Sequence, residues 1–156
     1  MWRDALILLA LLARHAPLAR ADRPWHGSLG AGGSLLGTGA QGDRGRLDVE
    51  ADVKPASRFG AILAWRAFDE DHHGLATAGV IYEAGAARPR LVLDLYADVG
   101  ADLDARAPLA GGGVRTTLTI IGPLAIAFDS GAQLVVDGVS QTRLQLATGA
   151  LLVARF

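Results

Sequence analysis

The chain contains no cysteine. That excludes a disulfide scaffold, a cysteine nucleophile and a lipidated N-terminal cysteine, so the fold rests on hydrogen bonds and packing. Lysine occurs once, as Lys54, and the formal net charge is −1. Nothing here is basic enough to follow a nucleic-acid backbone, and nucleic acid is set aside as a partner. Aromatic residues make up 6% of the chain. No run reaches the roughly 18–20 consecutive apolar residues of a transmembrane helix. Yet 51% of the residues are hydrophobic and the mean hydropathy is +0.28. The apolar excess is therefore spread over many short segments.

Residues 1–21 read as a signal peptide. Arg3 supplies a positive start, "ALILLALLA" (Ala5–Ala13) an apolar core and Pro17 a break, and Ala19-Arg20-Ala21 fits an A-x-A cleavage pattern. A short amphipathic or buried helix is the plainer alternative. Cleavage after Ala21 would leave a single barrel domain, 22–156, and move the net charge to −3 by removing three Arg and one Asp.

From there a period of two dominates. "GRLDVEADV" sets Leu47, Val49, Ala51 and Val53 against Arg46, Asp48, Glu50 and Asp52. "RFGAILAWRAF" and "PRLVLDLYAD" alternate in the same way, as do "PLAIAFDSGAQLVV" and the final "LQLATGALLVARF". Segments near 25–36, 74–83 and 113–122 are richer in Gly, Ala and Thr but still read as strands. The spacing predicts eight strands, at about 25–37, 45–54, 57–68, 74–83, 89–98, 113–122, 123–136 and 141–156, each long enough to cross a bilayer at a tilt. Odd connections, such as "GTGAQGDRG" and "VGADLDARAPLAGG", are longer and more polar than even ones, such as "KPAS" and "GP". Membrane barrels show that asymmetry, with short turns at one end and longer loops at the other.

One strand face carries nearly all the charge. Its members are Arg46, Arg58, Arg66, Arg90, Arg115, Arg143 and Arg155 against Asp48, Glu50, Asp52, Asp94, Asp98 and Asp129. In a narrow closed barrel these would interlock inside as Arg–carboxylate pairs, because the planar guanidinium grips carboxylates with two parallel bonds. The opposite face, Leu, Val, Ala, Ile and Phe, would then meet lipid. Trp25, Phe59, Tyr82 and Phe156 converge on the short-turn end as an interfacial girdle, with Trp65 near the other end. The expected fold is all-β: an eight-stranded antiparallel up-and-down transmembrane β-barrel with a filled polar lumen.

This pattern resembles the small eight-stranded outer-membrane β-barrels of Gram-negative bacteria, such as OmpX and the OmpA transmembrane domain. The resemblance covers residues 22–156 in architecture and the last strand in motif. It implies a cell outer-membrane location, contact with membrane lipids and lipopolysaccharide, and a terminal Phe156 that the barrel-assembly machinery reads. Leu146, Ala150 and Leu152 match the family's apolar positions, whereas Ala154 stands where an aromatic is commoner. The implied role is structural, adhesive or envelope-related, without a wide pore.

Candidate chemistry is sparse. "DEDHHG" (Asp69–Gly74) offers carboxylates and imidazoles, but adjacent His72 and His73 lack the spacing of a metal site, and a solvated acidic loop is the plainer reading. His26 and Ser28 share a face as H-x-S, a pair that also occurs in outer-membrane lipid A deacylases. It has no evident acid to orient the base. Neither "GAGGS" nor "AGGG" has the Gly-Lys-Ser/Thr of a phosphate loop. No catalytic, cofactor or metal residue is expected. Two rival readings stand beside the membrane barrel: a soluble secreted barrel with the faces inverted around a small apolar ligand, and a lipid-modifying enzyme.

Overall fold

Alternating residues need two different surroundings, and a closed sheet supplies them. The computed structural model describes residues 25–37, 43–55, 58–68, 74–88, 90–103, 106–136 and 142–156. The signal-peptide reading, the acidic Asp69–His73 loop and most of the odd loops lie outside them. Eight strands follow one another: β1 (Trp25–Gly37), β2 (Asp43–Pro55), β3 (Phe59–Phe68), β4 (Gly74–Arg88), β5 (Leu91–Asp102), β6 (Ala107–Ile121), β7 (Leu124–Val136) and β8 (Thr142–Arg155). Each pairs antiparallel with the next, and β8 closes on β1.

The register fixes the shape. Stepping between partners from Gly27 through Val53, Ala61, Val80, Ala97, Gly112, Ala132 and Leu146 returns to β1 at Gly37. That is a stagger of ten residues, 37 − 27. With ordinary strand spacings it gives a tilt of about 40° and an interior just wide enough for side chains. The seam between first and last strands is extended by Gly27 and Phe156, whose backbone N–H groups each donate to the other's carbonyl at 2.9 Å.

Three strand ends differ from the sequence expectation. β4 runs on to Arg88, β5 to Asp102, and β6 starts at Ala107 instead of near residue 113. The fourteen-residue "VGADLDARAPLAGG" connection thus shrinks to residues 103–106, with Arg106 in the left-handed region at φ 51°. Gly111 and Gly112, which read as loop, are ladder instead and with Gly113 pair on both sides. Their missing side chains make room for a neighbour. A Cβ at Gly113 or Gly131 would lie 2.8 or 2.6 Å from the Tyr96 hydroxyl, so the Tyr96 side chain occupies the space over this glycine pair.

The faces sort cleanly. Leu63, Val80, Val99, Phe128, Leu144 and Leu146 point outward and are more than half exposed. Arg46, Asp48, Glu50, Arg66, Asp94, Asp98 and Arg115 point inward and are buried. That is the reverse of what a soluble barrel requires.

Candidate functional site: the barrel lumen

Inward residues stack in three levels along the barrel. At the loop end Leu75, Ala107, Leu109 and Val135, all buried, form an apolar cap, and Leu36 is buried toward the same end. The cap needs no polar partners, so it closes that end without a network.

An ionic belt lies below the cap. Arg46 Nε donates to Asp48 Oδ1 at 2.7 Å and to Ser34 Oγ at 3.0 Å, while Nη1 reaches Gln133 Oε1 at 3.3 Å. Arg66 donates to Asp98 Oδ2 at 3.1 Å and to Glu50 Oε1 at 3.4 Å. Arg115 joins the most groups. It forks onto both Asp129 oxygens at 3.1 and 3.2 Å, reaches Asp52 at 3.5 Å and contacts Glu50. Its guanidinium carbon lies 5.9 Å from the centroid of the Tyr96 ring. Glu50 therefore couples Arg66 to Arg115 across the lumen.

The third level opens at the short-turn end as a cavity of about 60 Å³, lined among others by His26, Ser28, Asp52, Lys54, Glu83 and Arg155. The Ser28 hydroxyl donates to Asp52, and the Lys54 ammonium sits on Asp94. Arg155 Nη1 donates to Thr119 Oγ1 at 3.1 Å. The belt, and the cap beyond it, close the cavity on its inner side and leave it a blind vestibule.

Most of the expected charged residues thus stand inside, but two do not. Arg58 and Arg90 are exposed in the turns before β3 and β5. Strand parity names a face and says nothing about where a strand stops, and both lie just past a strand end. Arg143 stands exposed at the loop-end rim, facing inward by register. Lys54, Tyr96, Ser34 and Gln133 join the lumen unforeseen; Lys54 and Tyr96 share the parity of their acidic neighbours, which is the signal that marks them. Trp25 and Phe59 are 59% and 62% exposed at the short-turn end. Phe59 and Tyr82 stack with ring centroids 4.7 Å apart. Trp65 points outward nearer the loop end, and the Phe156 ring covers Gly27.

The H-x-S pair does find an acid, contrary to the sequence reading, but in an arrangement unlike a nucleophile and its base. Ser28 commits its proton to Asp52, while His26 is exposed at the mouth. Among the described residues no cluster of three metal-ligating side chains occurs.

No protein-family model matches the chain, and no curated protein matches it. Solved structures do. One, described as de novo design of transmembrane beta-barrels, shares 14% identity, spans 86% of this chain and 98% of its own, and superposes with a TM-score of 0.51. Another is Ail, the attachment invasion locus protein of Yersinia pestis, in complex with the heparin analogue sucrose octasulfate. It shares 11% identity over 86% of this chain and 100% of its own, with a TM-score of 0.50. The fold is that of an eight-stranded transmembrane β-barrel. Both neighbours are membrane barrels and neither is described as an enzyme.

Proposed function

We propose that this protein is an integral outer-membrane β-barrel with a structural, adhesive or envelope-related role and no wide pore. The observation that carries the proposal is the sorting of faces, with large apolar side chains outside and an Arg–carboxylate belt inside. Outward Phe128 and Leu146, 54% and 60% exposed, would each cost about 1.5–3 kcal/mol in water relative to burial, which a hydrocarbon surround removes. The location further rests on the family resemblance, as do contact of the acidic loops with lipopolysaccharide and recognition of Phe156 by the assembly machinery; export by residues 1–21 rests on their signal-peptide pattern. Cap and belt in series support a plugged lumen.

The test is gel migration of the folded chain before and after boiling, with carbonate extraction of the same membranes. A membrane barrel shifts on boiling and stays in the pellet. Recovery as a soluble periplasmic protein overturns the proposal.

A further inference from the structure

Arg58 and Arg90, which strand parity assigned to the lumen, stand exposed on the rim. We propose that they bind the headgroups of anionic phospholipids in the leaflet at the short-turn end. The inference rests on the membrane-barrel reading above and adds a lipid class and a site to it.

The backbone fixes both arginines at the rim. The Glu83 N–H donates to the Arg58 carbonyl at 2.7 Å, and the Thr119 N–H donates to the Arg90 carbonyl at 2.7 Å. Each also borders lipid-facing surface. Arg58 precedes Phe59, whose ring stacks on Tyr82 at the level where aromatic side chains mark a membrane interface. Arg90 precedes Leu91, which pairs with the exposed Leu118. Each guanidinium therefore starts where the apolar wall ends, which is the depth of lipid phosphate.

Among the described residues neither Arg58 nor Arg90 joins a salt bridge. The salt bridges of the described residues engage Arg46, Lys54, Arg66 and Arg115 instead. The three even turns carry Arg58 and Arg90 and no carboxylate, whereas the odd connections carry Asp69, Glu70, Asp71, Asp104 and Asp137 against Arg106. The even turns thus favour an anionic leaflet over the odd connections, with Glu83, which stands opposite Arg58 in the ladder at the vestibule mouth, as an opposing charge. A guanidinium near an anionic surface gains roughly 1 kcal/mol, about a fivefold enrichment of anionic over zwitterionic lipid per arginine. Its fork also matches phosphate oxygens.

Tryptophan position makes the idea testable. Trp25 pairs with Pro55 beside the Arg58 turn, and Trp65 lies toward the other end. Full chains carrying W2F and W65F leave Trp25 as reporter; chains carrying W2F and W25F leave Trp65. Both go into phosphatidylcholine vesicles containing either tail-brominated phosphatidylglycerol or the same fraction of tail-brominated phosphatidylcholine. Trp25 should be quenched several-fold more efficiently by the brominated anionic lipid, and R58Q with R90Q should abolish that preference. Trp65 should show no preference with or without those substitutions. Equal quenching of Trp25 by both lipids overturns the proposal, as does a preference that survives R58Q with R90Q. If neither reporter is quenched by either lipid, the chain is not in the bilayer and the membrane reading falls with it.

Discussion

Arg115 holds more of the lumen than any other side chain, because Glu50, Asp52 and Asp129 all meet its one guanidinium. Arg115→Met should therefore destabilise the barrel by about 3–5 kcal/mol, leaving buried carboxylates without a counter-charge. Arg66→Met should act in the same direction through Glu50 and Asp98. Arg106→Met, in an exposed turn, should stay within about 0.5 kcal/mol of the parent. Urea unfolding in detergent or lipid compares the three, and equal small effects would mean that the charged face is in water. A second residue-scale contact is between Gly27 and Phe156. A Cβ at Gly27 would approach the Phe156 ring to 2.4 Å, and its three nearest atoms all belong to that ring. Gly27→Ala should thus cost about 1 kcal/mol with Phe156 present and close to nothing in a Phe156→Ala background. A double-mutant cycle on the same unfolding assay decides it, since additive effects would show that the ring does not sit on Gly27.

At the scale of elements, the last strand carries two burdens, closing the sheet against β1 and ending on Phe156. Deleting Phe156 removes two backbone hydrogen bonds at the seam and the cover over Gly27. Ten residue pairs from Ser28 to Gly37 remain between β1 and β8. Detergent-refolded protein lacking Phe156 should therefore keep its boiling-dependent gel shift. If Phe156 is also an assembly address, the same deletion should sharply lower the amount inserted in cells. Normal insertion in cells would leave Phe156 as a packing residue alone. Strand order and number were legible in the sequence because period two is clear in five segments and turn-rich connections set off the other three. The ends of β4, β5 and β6 were not, since Ala84–Ala87 and Gly111–Gly113 carry too little contrast between faces to show alternation. Gly111–Gly113 is held by pairing with β5 and β7, and the Tyr96 side chain fills the space over Gly113 and Gly131, contacts that no local pattern contains. Parity likewise located the belt residues Arg46, Asp48, Glu50, Arg66, Asp98 and Arg115, but could not exclude Arg58 and Arg90, which differ from them only in lying beyond a strand end.

For the molecule as a whole, the ten-residue stagger on eight strands leaves an interior of side-chain width, and the three levels divide it unequally. The cap is dry, with Leu75 and Val135 only 2% and 3% exposed. Arg115 forms both the floor of the vestibule and part of the belt, so water entering from the short-turn end is stopped by charges already paired. Access to the lumen should therefore be one-sided, and the absence of native cysteine gives single-cysteine reporters no background. Ser28→Cys, lining the vestibule, should react with a membrane-impermeant thiol reagent when the short-turn end faces the bulk, and be protected when only the loop end does. Val135→Cys, within the cap, should be protected from both sides until the chain is unfolded. Vesicles with the chain inserted in one orientation, labelled outside and then inside, separate these cases. Labelling of Ser28→Cys from both sides would show a continuous aqueous path and would refute the plugged lumen. Labelling of Val135→Cys from the loop end alone would place the barrier at the ionic belt instead of the apolar cap.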